Sequence, residues 1–204
     1  MHPVNDKLIS WVTGIDDRAI DHSKNAPVPV ADARVVHPDT HVGADRTLAA
    51  VLFTDIVGST SHAAAIGDRR WRDLLDGHDA LARTWIDEHR GRLVKLTGDG
   101  VLAHFGDAAQ GIRCALALRD ALTVLGIEIR AGLHMGEIDL RGDDISGIAV
   151  HIAHRVLRLA KPGELLVSGT VPRFTRGAGL AFRDLGQHEL KGVPGTWRLL
   201  AVAT

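Results

Sequence analysis

One short stretch constrains this 204-residue chain more than any other. Leu48-Ala49-Ala50-Val51-Leu52-Phe53 is uninterrupted apolar sequence, closed by Thr54 and Asp55. A run with no polar alternation suits a strand covered on both faces, the centre of a sheet rather than its edge. It is far too short for a membrane span, which takes roughly 20 apolar residues. The carboxylate of Asp55 comes where the strand gives way to a turn, and a charge at the end of an apolar strand needs a partner.

The elements that follow supply neighbours for that strand. Asp68 reads as the cap of a helix whose apolar positions, Trp71, Leu74, Leu75, Leu81, Ala82, Trp85 and Ile86, form one stripe. Arg92 to Thr97 and Val101 to Phe105 read as strands joined across Gly98-Asp99-Gly100, and Asp-Gly between apolar strands is a strong hairpin signal. Asp107 opens a second helix running to about Leu125, and Ile127 to Leu133 is a further strand. A third helix spans about Gly147 to Ala160 and stops at Pro162-Gly163. Strands at Glu164 to Val167, near Leu180 to Leu185 and at Thr196 to Val202 complete the pattern. The order βαββαβ with an appended helix and strands predicts an α+β fold with a ferredoxin-like split βαβ core. The sheet is expected to be antiparallel, with its helices packed on one face.

Residues 1–46 are different. They hold four of the seven prolines and alternate Pro with Val over Ala26 to Ala33, which favours extended backbone without a ladder. The expected organisation is an irregular tail or linker over 1–46 and one domain over 47–204. With 24 basic and 25 acidic residues, net charge −1, the chain lacks the clustered cations that give general nucleic-acid affinity. A lone Cys114 excludes an internal disulfide. With no apolar leader after Met1, a cytoplasmic protein without a membrane segment is the expectation.

Several residues are candidates for chemistry. Asp55 and Asp99 both lie where strand meets turn, and a hairpin beside the first strand would bring both carboxylates to one sheet edge. Two hard anionic ligands suit Mg²⁺ or Mn²⁺, which take one or two carboxylates plus substrate phosphates; taken alone, Asp99 reads first as a plain turn residue. Gly58-Ser59-Thr60 leads into a helix and offers backbone N–H groups to a phosphate, or simply caps that helix. Lys95 interrupts an apolar strand and either reaches solvent or meets a polar group. Asp144 precedes the third helix, where an acid is also an ordinary helix start. His151 and Arg155 lie four apart on it and share a face, Arg155 suiting phosphate. Lys191 follows His188-Glu189-Leu190, with a surface lysine as its ordinary reading.

Four strings in order resemble the class III nucleotidyl cyclases. They are Leu52 to Thr60, Lys95-Leu96-Thr97-Gly98-Asp99-Gly100, Gly132-Leu133-His134-Met135-Gly136-Glu137, and Asp144-Ile145-Ser146-Gly147 through Arg155. The likeness covers roughly residues 47–203, and its tight spacing is most similar to the bacterial c subtype. The resemblance implies an adenylyl cyclase that converts ATP to 3′,5′-cyclic AMP and pyrophosphate. It implies two divalent cations, Mg²⁺ or Mn²⁺, held by Asp55, Asp99 and the backbone carbonyl of Ile56. It places Lys95 and Asp144 on the adenine and Lys191 on the terminal phosphates, beside the Gly58, Ser59 and Thr60 turn already read as a phosphate site. Arg155 is placed on charge developing at the α-phosphate, and His151 where many relatives carry an Asn that orients the ribose. It also implies a homodimer whose sites are shared between chains. Ser146 replaces a bulkier residue often seen at its position. The alternative is a catalytically silent cyclase-like module that binds nucleotide, with His151 as its motive. A diguanylate-forming enzyme is a more distant rival, because its Gly-Gly-Asp/Glu-Glu-Phe signature is absent.

Overall fold

The computed structural model describes residues 45–203. The expected tail therefore lies outside the described residues, except for Asp45 and Arg46, which open the first strand. In chain order the elements are β1 (Asp45–Ile56), α1 (Ser59–Ile66), α2 (Asp68–Glu88), β2 (Gly91–Leu96), β3 (Gly100–Phe105), α3 (Ala108–Thr123), β4 (Ile129–Arg141), β5 (Asp144–Ser146), α4 (Ile148–Leu159), β6 (Leu165–Ser168), a short 3₁₀ turn (Val171–Phe174), β7 (Phe182–Glu189) and β8 (Thr196–Val202). They build an α+β fold around one sheet of order β2-β3-β1-β4-β6-β8-β7, with β5 paired to β4. All pairings are antiparallel except β4 with β6. The segment β2-β3-β1-β4 is the expected split core: β1 lies between β3 and β4, and β3 separates β1 from β2.

The apolar run is covered on both faces from Ala49 onward, while Leu48 at its start is 45% exposed. Ala49, Ala50, Val51 and Leu52 are essentially inaccessible, and Phe53 is 3% exposed. Even-numbered residues Ala50, Leu52 and Ile56 face a core completed by Ala82 and Ile86 of α2 and by Ile112, Ala115, Leu118 and Leu122 of α3. Odd-numbered Ala49, Val51 and Phe53 face Ala149, Val150, Ala153 and Leu157 of α4. The expectation of helices on one face therefore holds for the core pair α2 and α3 and is corrected for α4, which covers the other face. The physical reason is the run itself: a strand apolar at every position has two faces to bury. Each fully buried Leu or Phe stabilises the fold by about 2 kcal/mol relative to exposure.

Glycines permit the closest approaches. A Cβ on Gly132 of β4 would lie 2.2 Å from the backbone nitrogen of Leu157, so α4 rests directly on the strand. A Cβ on Gly100 would lie 2.1 Å from the carbonyl oxygen of Thr54, which lets the β2–β3 hairpin press against the end of β1.

Three local expectations change. Asp68 is the first residue of α2, its cap position is Gly67, and no side chain caps that end. The strand expected to end at Leu133 continues to Arg141, carrying the whole Gly132-to-Glu137 string inside β4. Asp144 begins the short strand β5 rather than the helix, and Gly147 takes the cap of α4. Among the described residues, no helix is long and apolar enough to cross a membrane.

Candidate active site

Register places the two aspartates together. In the β1 ladders, Asp55 is opposite Gly100 of β3 on one side and Arg130 of β4 on the other. Asp99 immediately precedes Gly100, and its backbone carbonyl accepts a 2.7 Å hydrogen bond from the amide of Ile56. The hairpin is closed by the amide of Thr97 donating to Gly100 at 2.9 Å, with Gly98 at φ 93°. The turn reading of Asp99 and its placement beside Asp55 are thus both correct: the turn is what delivers the carboxylate.

Each carboxylate has its own partner. Ser59 Oγ donates to Asp99 Oδ2 at 2.7 Å. Arg130 donates to Asp55 Oδ2 through Nε at 2.9 Å and through a terminal nitrogen at 2.5 Å. Both members of that ion pair are about one quarter exposed. The pKa of Asp55 is raised, first by burial and further by the neighbouring charge of Asp99, while the Arg130 hydrogen bond and the charges of Arg130 and Arg158 act in the opposite direction. Two partly desolvated carboxylates held close enough to repel form a site that favours a cation. The donor set is hard oxygen and too small to complete a coordination shell. That fits Mg²⁺ or Mn²⁺, which keep waters and share substrate phosphates. Gly58, in the left-handed conformation at φ 65°, opens α1 beside this pair.

The other candidates fall into separate neighbourhoods. Lys95 of β2 follows Val94, and Asp144 of β5 precedes Ile145; Val94 and Ile145 belong to the same apolar cluster under α4. A 2.7 Å ion pair from Arg92 to Asp143 ties β2 to the β4–β5 turn. β2 and β5 are thereby brought to one region, and Lys95 and Asp144 on them are both exposed. Asp144 Oδ1 accepts from the amide of Ile145 at 2.8 Å, which orients its carboxylate. His151 and Arg155 are half-buried on α4. His154 beside them has its pKa lowered to about 4 by burial and by the charges of Arg155, Arg158, His151 and Arg130. Lys191 is exposed at the turn between β7 and β8. Three strand spacings separate β1 from β8, about 14 Å of sheet, so one chain does not gather Lys191 with the aspartates.

One residue of this site, Arg130, carries no signal in the sequence, and one candidate, Ser59, makes a contact the sequence does not suggest. A lone Arg in a strand has no motif of its own; only the register opposite Asp55 gives Arg130 meaning. Ser59 belongs by sequence to the phosphate turn, whereas its hydroxyl donates to Asp99. His134, buried in β4, bonds through Nδ1 to Ser168 Oγ at 2.6 Å and packs edge-on against Trp197. That places it in the core beside α4 as a structural residue.

With this geometry in place, comparison with known proteins defines the class. The family model for the adenylate and guanylate cyclase catalytic domain matches residues 45–201, and the chain belongs to that family. A Rhizobium meliloti (strain 1021) protein provisionally named adenylate cyclase 3 is 31% identical over 166 residues, covering 72% of this chain and 27% of its own length. An adenylate cyclase of Streptomyces coelicolor is 30% identical over 125 residues, covering 60% of this chain and 32% of its own. The chain thus spans about a third or less of these curated relatives. Among solved structures, the adenylyl cyclase CyaB from P. aeruginosa superposes with a TM-score of 0.73 at 24% identity, covering 78% of this chain and 95% of that one. An adenylate/guanylate cyclase/hydrolase from Silicibacter pomeroyi superposes with a TM-score of 0.67 at 30% identity, covering 79% and 99%.

Proposed function

We propose that this chain is an adenylyl cyclase that forms 3′,5′-cyclic AMP and pyrophosphate from ATP at sites shared between two copies. The observation that carries this reading is the meeting of Asp55 and Asp99 at the corner of β1 and β3, in a chain of the cyclase family. In the reaction the ribose 3′-oxygen attacks the α-phosphorus, its proton leaves to water, and the bond from the α-phosphorus to the pyrophosphate oxygen breaks. Divalent cations at Asp55, Asp99 and the Ile56 carbonyl would acidify the 3′-hydroxyl and neutralise the attacking and leaving oxygens.

The remaining steps belong to side chains. Lys95 donates to the adenine N1 acceptor, and Asp144 accepts from the adenine amino group. Guanine reverses both edges, leaving a donor and an acceptor unpaired, so the pair favours ATP. Arg155 stabilises charge at the α-phosphate, and His151 donates to the ribose. Lys191 and the amides of Gly58, Ser59 and Thr60 hold the terminal phosphates. Because Lys191 and the metal-site aspartates stand on different flanks of the sheet, a two-fold dimer, with each site taking Asp55 and Asp99 from one protomer and Lys95, Asp144, Arg155 and Lys191 from the partner, completes the constellation. The deciding experiment is incubation of purified protein with MnATP and chromatographic analysis of product. Cyclic AMP is expected, with none from Asp55→Ala; bound ATP without any product would favour the silent module instead.

A further inference from the structure

Ser59 can serve a phosphate-binding site in two ways, and its two polar groups point to different tasks. Its amide opens α1 at the turn assigned to phosphate. Its hydroxyl instead spans 40 residues of sequence to donate to Asp99 Oδ2 at 2.7 Å. Asp99 is flanked by Gly98 and Gly100, neither of which offers a side chain to restrain it. Its backbone is fixed by the amide of Ile56, and among the described residues its carboxylate is held by the hydroxyl of Ser59. The contrast with Asp55 is informative. Arg130 orients Asp55 but cancels much of its charge, whereas a hydroxyl orients Asp99 without cancelling anything. One oxygen of Asp99 and a lone pair of the other stay available to a cation.

We infer that Ser59 is a positioning residue for the metal-binding carboxylate of Asp99, coupling the start of α1 to the metal centre, and that its side chain is not a phosphate ligand. This rests on Asp55 and Asp99 being the divalent-cation pair. Partners that orient a ligating group typically change metal affinity 10–100-fold when removed. A phosphate ligand, by contrast, changes nucleotide affinity.

The two roles separate in one experiment on the full chain. Mn²⁺ affinity is read from thermal stabilisation of nucleotide-free protein and, independently, from the Mn²⁺ dependence of turnover at saturating ATP. The wild type is compared with Ser59→Ala, Ser59→Thr and Asp99→Asn. Ser59→Ala is expected to weaken Mn²⁺ about 10-fold in both readouts with the KM for ATP unchanged. Ser59→Thr, which keeps the hydroxyl, is expected to restore most of the affinity. Unchanged Mn²⁺ affinity in Ser59→Ala together with a raised KM for ATP would overturn the assignment. Wild-type Mn²⁺ affinity in Asp99→Asn would instead overturn the cation-pair reading beneath it.

Discussion

Arg130 places two N–H donors on the same oxygen of Asp55, at 2.9 and 2.5 Å, across the β1–β4 ladder. Removing either partner strands the other in a site only about one quarter exposed. Asp55→Ala should therefore do two separable things. Turnover should fall at least about 1,000-fold, as expected when a group that stabilises transition-state charge is lost. Stability should fall by roughly 1–3 kcal/mol, because Arg130 loses its acceptor. The double variant Asp55→Ala/Arg130→Gln should recover much of the stability in chemical denaturation and none of the activity. Recovery of turnover in the double variant would exclude Asp55 from the chemistry.

The base-reading pair makes a sharper prediction. Lys95 and Asp144 come from β2 and β5, drawn to one apolar cluster through Val94 and Ile145. Reversing donor and acceptor with Lys95→Glu and Asp144→Gly should move the ratio of kcat/KM for ATP over GTP by at least about 100-fold toward GTP. Parallel assays with the two nucleotides read the ratio directly, and an unmoved ATP preference would remove both residues from base recognition.

Gly132 sets the distance between β4 and α4. An added Cβ would sit 2.2 Å from the Leu157 nitrogen and 2.5 Å from its Cα, and helix backbone cannot rotate away as a side chain can. Gly132→Ala should cost about 1–3 kcal/mol, a fall in Tm of roughly 3–10 °C for a domain this size. Gly106→Ala is the matched control, since nothing lies within 4 Å of its added Cβ, and it should leave Tm nearly unchanged.

These sites show what the sequence made legible. The apolar run over 48–53 carried enough information to place β1 centrally, because a strand with no polar face has only one environment. The Asp-Gly turn delivered Asp99, because turn chemistry is local. Arg130 and the Ser59–Asp99 bond were not legible. They depend on the register of β4 against β1 and on contacts across 75 and 40 residues, which no local pattern encodes. β4 runs eight residues past the expected Leu133, to Arg141, for a related reason. Gly136 lies beyond the strand expected over Ile127 to Leu133, and Gly132 lies within it. In the structure they are places where α4 and the His134 ring press against the strand, a Cβ on Gly136 falling 2.8 Å from His134 Nε2.

His134 gives the fold a defined acid sensitivity. Burial lowers its pKa from 6.5 to about 4, so the folded state holds the ring neutral while the unfolded chain protonates near 6.5. The unfolded state therefore binds more protons between those values, and stability falls as pH drops through that window. The loss totals about 3 kcal/mol once pH reaches 4 and grows no further from this group below it. His154, lowered to about 4 as well, adds in the same direction. Denaturation midpoints measured from pH 7.5 to 4 should decline with a slope that is shallower in His134→Asn. An identical slope in that variant would assign the acid loss to other groups.

The shared-site arrangement is open to a mixing test that needs no structure of the dimer. Asp55→Ala lacks a carboxylate but keeps Arg155 and Lys191; Arg155→Ala keeps both aspartates but lacks the phosphate cation. Each alone should be nearly inactive. In a two-fold dimer that exchanges freely, half of the dimers in an equal mixture pair one variant with the other. Each such heterodimer rebuilds one of its two sites from intact halves, so the mixture should recover about a quarter of wild-type activity. Specific activity of the wild type should also rise with protein concentration until dimer saturates. If all site residues acted within one chain, mixing would restore nothing and specific activity would be flat. Since the turn carrying Lys191 stands about 14 Å of sheet away from β1, recovery on mixing is the expected result.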